Sequence, residues 1–134
     1  MPPQPIDDSA GIFVTTRDEN VFRTMMGVSP TDMATALVEA GAQIVGANCG
    51  QGPETMVGIV KEIRAATDVP ILIQANAGMP VEVNGQTCFP ATPEMMAREV
   101  PALIAAGANI IGGCCGTTPA HIRAIAEAKD SALS

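Results

Sequence analysis

Apolar and polar positions follow two periods along this chain, one typical of strands and one typical of helices. A continuous apolar stretch over 69–75 is typical of a parallel strand that is covered on both faces. Apolar residues recur at helical spacing over 53–67, and this segment opens on a proline, which favours the first turn of a helix. The same reasoning predicts further strands over 11–16, 43–47 and 109–113, and further helices over 30–41, 92–106 and 118–129.

The predicted elements follow the order strand then helix four times. This order predicts an α/β fold in which helices pack against a parallel sheet through right-handed crossovers. Residues 1–10 are rich in proline and polar side chains and are expected to form a flexible arm, so the folded domain is expected over 11–130. Residues 79–90 are predicted to form a long loop, and Pro101 is predicted to interrupt the helix over 92–106.

Composition narrows the class of protein. The chain has 134 residues, which favours one domain, and its formal net charge of −7 argues against a nucleic-acid partner. No apolar run approaches the ~20 residues of a membrane-spanning helix, and the first residues do not resemble a secretory signal. We therefore expect a cytoplasmic protein, in which the four cysteines favour metal binding or catalysis over disulfide bonds.

Three of the cysteines follow predicted strands. Segments 38–53 and 104–119 align at a constant offset, which matches Cys49 with Cys115 and places Cys114 beside it. Functional side chains collect at the carboxyl ends of parallel strands, and here one strand separates the two cysteine-bearing strands in sequence. We therefore expect the three thiols to lie close together.

A site of three thiolates with an open fourth position is typical of catalytic zinc, which keeps an incoming thiol deprotonated. Three other interpretations stay open on the residues alone. The cysteines are plain buried residues, or the loop over 112–117 binds phosphate through its glycine amides. Alternatively, the adjacent cysteines form a redox pair, although they lack the usual two-residue spacer.

Three motifs carry a resemblance to a known family. They are Asn48-Cys49-Gly50, Asn-Ala-Gly-Met-Pro over 76–80, and Gly-Gly-Cys-Cys-Gly-Thr-Thr-Pro-Ala-His-Ile over 112–122. Together they resemble the zinc-dependent homocysteine S-methyltransferases, a family that includes the homocysteine-binding module of cobalamin-dependent methionine synthase. The resemblance covers about residues 11–128, and the third motif is highly specific.

The resemblance implies a function and a set of site residues. Cys49, Cys114 and Cys115 match the cysteines that bind Zn²⁺ in the family, with the homocysteine thiol as fourth ligand and methionine as product. Asn76 matches a position at the same pocket and is expected to contact the substrate. Cys88 matches no ligand and is expected to be a loop or packing thiol, and His121 is expected to lie at the surface or to form hydrogen bonds.

The resemblance also implies a particular fold. The family fold is a (β/α)₈ barrel of about 250 residues, so this chain resembles its carboxyl-terminal half, a parallel (β/α)₄ half of a TIM-type barrel. Such a half leaves two unpaired sheet edges. We therefore expect a fragment, a subunit that pairs with a separately encoded half, or a homodimer. The methyl donor, for example a corrinoid protein, would enter through the other half.

A rival interpretation is that the chain binds the metal but does not catalyse a reaction. In it, the chain is a non-catalytic zinc-binding half-barrel that acts as a scaffold or as the partner subunit of another chain.

Overall fold

A computed structural model of the chain describes residues 14–15, 21–24, 26–50 and 52–134. The predicted arm over 1–10 lies outside the described residues. The described part combines five helices with a parallel sheet of three strands and two small antiparallel ribbons, which confirms the predicted α/β class with a parallel sheet. No helix in this part of the chain is both long and apolar enough to cross a membrane.

The elements follow one another in this order: β1 (Val14–Thr15), β2 (Phe22–Arg23), α1 (Pro30–Glu39), β3 (Val45–Cys49), α2 (Pro53–Ala66), β4 (Ile71–Ala75), β5 (Val81–Val83), β6 (Gln86–Cys88), α3 (Pro93–Arg98), α4 (Val100–Ala106), β7 (Ile110–Gly113) and α5 (Pro119–Leu133).

The parallel sheet has the strand order β3–β4–β7, so the strand between the two cysteine-bearing strands in sequence is also between them in space. Cys49 pairs in register with Ala75 of β4, and Ala75 pairs with Gly113 of β7. The three carboxyl ends therefore lie level, which brings the residues that follow β7 next to the end of β3.

The two faces of this sheet are covered to different extents. One face packs its side chains into the helical core, where Ile71 and Ile73 of β4 are fully buried. The opposite face carries Leu72, which is half-buried, Gln74, which is exposed, and Ile110, which is 44% exposed. The helices thus cover one face of the sheet and leave the other largely open.

Every described helix has a proline in its first turn, where the missing N–H costs no hydrogen bond. Side chains also cap several of these helices. The hydroxyl of Ser29 accepts a hydrogen bond from the Asp32 N–H at the start of α1, and Thr92 does the same for Met95 at the start of α3. These local signals made the helix starts predictable.

The structure corrects the prediction of four parallel strands. Only 14–15 of the predicted strand over 11–16 lie among the described residues, and there β1 pairs antiparallel with β2 in a ribbon separate from the parallel sheet. Antiparallel pairing needs only a short connection, whereas parallel pairing needs a long crossover. The nearby segment Phe22–Arg23 therefore pairs with this strand, and the strand does not join the parallel sheet.

Two further predictions on secondary structure were partly wrong, and the predicted interruption of the helix over 92–106 by Pro101 was confirmed. The predicted loop over 79–90 contains the antiparallel hairpin β5–β6. The predicted helix over 92–106 is two helices that meet at Glu99, because Pro101 cannot continue the hydrogen-bond ladder of α3. Strand β3 begins and ends two residues later than predicted, because its register is set by pairing with β4.

Candidate metal centre

The three predicted cysteines meet at the carboxyl end of the parallel sheet. Cys49 is the last residue of β3, and Cys114 and Cys115 directly follow β7. The Cys49 sulfur lies 3.1 Å from that of Cys114 and 3.6 Å from that of Cys115, and the last two sulfurs are 3.9 Å apart. Cys49 and Cys114 are half-buried and Cys115 is exposed, so the cluster is open to solvent on the side of Cys115.

The backbone leaves strand geometry where it presents these thiols. Cys49 has a φ of 58°, a left-handed conformation that is uncommon for any residue but glycine, and Gly50 follows with a φ of 72°. In a regular strand Cys49 would continue the alternation that places Val45 and Ala47 in the helical core. The left-handed turn ends this alternation where the sulfur meets the other two thiols.

The second cysteine loop is a tight turn that is closed by Thr117. The N–H and the hydroxyl of Thr117 both donate to the Cys114 carbonyl, at 3.2 and 2.7 Å. Gly116 has a φ of 81°, and the position that a Cβ atom would take there is filled by the ring of Phe89. This loop therefore requires glycine at 116, both for its backbone conformation and for its contact with Phe89.

The loop after β4 lies between the two cysteine loops and contacts both. Asn76 is 6% exposed, and its amide donates to the Gly50 carbonyl at 2.8 Å and accepts from the Cys115 N–H at 3.0 Å. The Ala77 N–H donates to the Cys115 carbonyl at 2.9 Å. The structure therefore places Asn76 beside the cysteines, with both polar atoms of its side chain bonded to the backbone, and its predicted contact with the substrate stays a prediction.

A comparison with known protein families identifies the group to which this chain belongs. The model of the family described as homocysteine S-methyltransferase matches residues 5–129, which is most of the chain. The chain belongs to the homocysteine S-methyltransferase family. The predicted family resemblance is thereby confirmed.

Individual relatives of this family member include much longer proteins. The methionine synthases of Mycobacterium tuberculosis (strain ATCC 25618 / H37Rv) and Mycobacterium leprae (strain TN) are 32% and 34% identical to it over 118 and 119 residues. Each match covers 87% of this chain and 10% of the relative. The chain thus spans about a tenth of the length of these relatives.

Two crystal structures of the homocysteine methyltransferase MmuM from Escherichia coli share the fold. The metallated form matches with a TM-score of 0.62 and 26% identity over 90% of this chain, and the oxidised form with 0.60 and 27% over 78%. These matches cover 35% and 31% of the MmuM chain. The family member described here therefore has a parallel sheet and helices like about a third of MmuM.

The contacts within the thiol cluster shift the pKa values of Cys49 and Cys114 in opposite directions. The contact with Cys114, together with burial and the contact with Cys115, raises the pKa of Cys49 from 9.0 to about 12. Burial works to raise the pKa of Cys114, but the hydrogen bonds that it receives from the thiols of Cys49 and Cys115 lower it overall. Cys49 therefore holds its proton more strongly than Cys114 does, because two thiolates so close together would repel each other.

The structure also places the two other residues that the sequence singled out. His121 is 7% exposed, so its hydrogen-bonding role is confirmed and a surface role was wrong. Its Nδ1 accepts from the Thr118 N–H at 3.1 Å, and its Nε2 lies 2.8 Å from the Ala91 carbonyl. Cys88 ends β6 as a half-buried thiol and does not belong to the cluster formed by the other three cysteines.

The hydrogen bonds of the second cysteine loop bear on the phosphate-binding interpretation. The N–H groups of Cys114, Cys115 and Thr117 donate to Ala75, Asn76 and Cys114 respectively. Amides that are already bonded within the protein are not available to cradle an anion. The loop therefore uses these three amides to hold its own thiols in place, and they are not available to a phosphate cup.

Proposed function

We propose that this chain binds Zn²⁺ through Cys49, Cys114 and Cys115 and that the site activates the thiol of homocysteine for methyl transfer to sulfur. One observation carries the proposal: the three sulfurs, from two strands that are not neighbours in the sheet, all lie within 4.8 Å of one another. Membership of the homocysteine S-methyltransferase family supports the choice of substrate.

The chemistry of the donor set fits zinc. Tetrahedral zinc with bonds of ~2.3 Å to sulfur requires neighbouring sulfurs about 3.8 Å apart. The measured separations of 3.1, 3.6 and 3.9 Å are close to that spacing, so only small side-chain movements are needed. Thiolates also favour soft or borderline ions such as zinc over magnesium or calcium.

The coupled pKa values support a cation at this position. A pKa of about 12 keeps the Cys49 thiol protonated near neutral pH, while the same contact lowers the pKa of the neighbouring Cys114 thiol, because two thiolates so close together would repel each other. A divalent cation at the centre removes this repulsion and allows all three thiols to ionise. The cluster is thus a poor arrangement for free thiols and a good one for metal ligands.

The protein's own residues determine where a substrate thiol would approach. Cys49 and Cys114 are half-buried on the side of the sheet, whereas Cys115 is exposed, so the fourth position faces solvent beside Cys115. The Cys115 N–H donates to the Asn76 side chain and the Cys115 carbonyl accepts from the Ala77 N–H, and these bonds hold that side of the site fixed. When bound, zinc would lower the pKa of an incoming thiol and keep it as the nucleophile.

The same proposal extends to the fold: the chain forms part of a (β/α)₈ barrel that further strands complete. The support is the open face of the sheet, where Gln74 and Ile110 are exposed although they lie on strands of an otherwise buried sheet. Parallel sheets are normally covered on both faces. Further strands beyond β3 and β7 would convert this open face into the interior of a barrel.

X-ray absorption on the zinc-loaded chain tests the proposed site. We expect three sulfur ligands without homocysteine and four with it, because the substrate thiol takes the open position. Methionine, which carries the same amino-acid group but no thiol, is the matched control and should leave the count at three. A count of four sulfurs before homocysteine is added would contradict an open site and would support the rival of a structural zinc scaffold.

A further inference from the structure

The imidazole of His121 forms hydrogen bonds with both of its nitrogen atoms. Its Nδ1 atom accepts from the Thr118 N–H at 3.1 Å, and its Nε2 atom lies 2.8 Å from the carbonyl oxygen of Ala91. A carbonyl oxygen can only accept, so Nε2 carries the proton and Nδ1 the lone pair. His121 is 7% exposed, so both bonds are formed away from water.

These two bonds complete a closed set of hydrogen bonds that begins and ends on the second cysteine loop. The Cys115 carbonyl accepts from the Ala77 N–H at 2.9 Å, and the Ala77 carbonyl accepts from the Ala91 N–H at 3.0 Å. His121 then joins Ala91 to Thr118, which lies three residues after Cys115. The other bonds in this closed set join backbone groups, so His121 is its only side chain.

The closed set surrounds a tight contact between Phe89 and Gly116. The aromatic ring of Phe89 fills the position that a Cβ atom would take at Gly116. Phe89 lies two residues before Ala91, and Gly116 directly follows Cys115. A shift of Ala91 would therefore move Phe89 relative to the loop that carries the thiol.

From these contacts we infer that His121 is a positioning residue, which holds the loop before α3 against the second cysteine loop and so fixes the Cys115 thiol. The inference rests on the proposed metal site and goes beyond it, because the nitrogen atoms of this histidine bond Thr118 and Ala91 and not a thiol. The consequence is that affinity for the metal depends on a hydrogen-bond donor outside the metal site.

The two nitrogen atoms of His121 have separable roles. Nδ1 completes the capping box at the start of α5, at a position where glutamate or glutamine is usual. A cap stabilises its own helix and does not join that helix to another segment. Only Nε2 reaches Ala91, so the connection to the loop before α3 requires a donor.

The test therefore compares His121→Gln with His121→Glu, two side chains of nearly the same size. Both can accept from the Thr118 N–H, but only glutamine can also donate to the Ala91 carbonyl. His121→Ala removes both bonds without burying a charge, and it replaces His121→Glu in the comparison if circular dichroism shows that the carboxylate prevents folding. Ser29→Ala, which removes the cap of α1, is the control for a loss of stability alone.

Three quantities are measured on each variant. Zinc affinity is measured by competition with a chelator, and ligand geometry from the absorption spectrum of the cobalt-loaded protein. Amide hydrogen exchange of Ala77, whose N–H donates to the Cys115 carbonyl, is measured without metal.

We expect His121→Glu to bind zinc about 3- to 30-fold more weakly than His121→Gln, the range usual for residues that affect a site without contacting its ligand. This loss would oppose the added negative charge, which by itself attracts a cation. The cobalt spectrum of His121→Glu should differ from that of the wild type, and its Ala77 amide should exchange faster. His121→Gln and Ser29→Ala should resemble the wild type in all three measurements. Equal zinc affinities in the Gln and Glu variants, or a loss in Ser29→Ala as large as that in His121→Glu, would overturn the inference.

The same variants separate this inference from the proposed function. A wild-type chain that binds neither zinc nor cobalt would refute the metal site itself, whatever the variants do. The exchange rate of the Ala77 amide then decides on His121, because its hydrogen bond to Cys115 is present without metal. Faster exchange in His121→Glu than in His121→Gln would support the positioning role, and equal rates would refute it.

Discussion

The two ends of the parallel sheet are built in the same way but leave different groups unsatisfied. At each end an asparagine side chain holds backbone in place. At the amino end Asn109 accepts hydrogen bonds from the Ile71 N–H and from Arg64, and at the carboxyl end Asn76 bridges the backbone of Gly50 and Cys115. Each end also has a left-handed glycine packed beneath a large side chain. At the amino end the remaining polar groups bond one another, whereas at the carboxyl end three thiols contact mainly each other.

Arg64 shows how the polar groups at the amino end of the sheet are paired within the protein. Its guanidinium donates to the carbonyls of Thr67, Val69 and Gly107 and to the side chain of Asn109, at 2.7 to 3.1 Å. A cationic side chain of the protein itself therefore donates hydrogen bonds to the carbonyl groups that collect there. The difference teaches that this sheet supplies its own positive charge at one end, whereas at the other end it collects three thiols, which under the proposed function bind a cation from outside.

The largest expected effect tests whether the thiols require that external charge. Cys115→Ser should weaken zinc binding by more than about 100-fold, because even residues that only orient metal ligands cost about 10- to 100-fold. Cys88→Ser, at a half-buried thiol outside the cluster, should bind zinc like the wild type. Zinc retained after dialysis, measured by mass spectrometry of the metal, compares the two variants.

Retention of one zinc per chain by Cys115→Ser would contradict the conclusion that the thiols at the carboxyl end of the sheet bind the cation. A loss of zinc in Cys88→Ser of the same size would also break it, since the metal would then be held by a different set of thiols.

The features predicted from sequence were those that depend on local signals or on repetition. Proline in the first turn fixed the starts of α2 and α5, and the continuous apolar run over 69–75 identified the central strand. The echo between 38–53 and 104–119 predicted that Cys49 would meet Cys115, and the structure brings their sulfurs to 3.6 Å. Repeated units place equivalent residues at the same sheet edge, so this inference needed no coordinates.

The features that escaped prediction depend on contacts between distant segments. The two hydrogen bonds of Asn76 require knowledge of where the loops after β3 and β7 lie. The hairpin β5–β6 did have a local signal, because Asn84-Gly85 is the sequence that favours a two-residue turn with both residues left-handed, and both have positive φ. The pairing of β1 with β2 depends on a competition between two possible partners, which periodicity alone does not decide.

A smaller effect is expected at the amino end of the sheet. Here the comparison predicts that a substitution lowers the stability of the protein and leaves metal binding unchanged. Arg64→Ala should lower the free energy of unfolding by about 2 kcal/mol, because several backbone carbonyls lose a charged donor. Arg123→Ala, on the exposed side of α5, should change it by less than about 0.5 kcal/mol. Urea unfolding of the metal-free proteins measures both values.

The zinc affinity of Arg64→Ala tests whether the two ends of the sheet are independent of each other. The two ends are separated by the length of the strands, so Arg64→Ala should keep the wild-type affinity within about twofold. A large loss of zinc would mean that the ends are coupled through the sheet and are not the independent regions described above.

The smallest expected effect distinguishes the two reasons for a glycine at position 116, which are its left-handed backbone and its contact with Phe89. Gly116 and Gly85 have nearly the same φ, 81° and 79°, but a Cβ atom at Gly116 would meet the ring of Phe89, whereas Gly85 has open space. Gly85→Ala should cost about 1 kcal/mol of stability, the penalty for the left-handed backbone alone. Gly116→Ala should cost more than Gly85→Ala by the energy needed to displace Phe89, as measured by urea unfolding.

The zinc affinity of the same two variants completes the comparison. Gly116 follows Cys115 directly, so a displaced loop should move that thiol and weaken zinc binding, whereas Gly85→Ala should bind zinc like the wild type. Equal stability and equal affinity in the two variants would mean that Phe89 yields without moving the loop. The position of Cys115 would then depend on its hydrogen bonds with Asn76 and Ala77, with no contribution from the packing beneath Gly116.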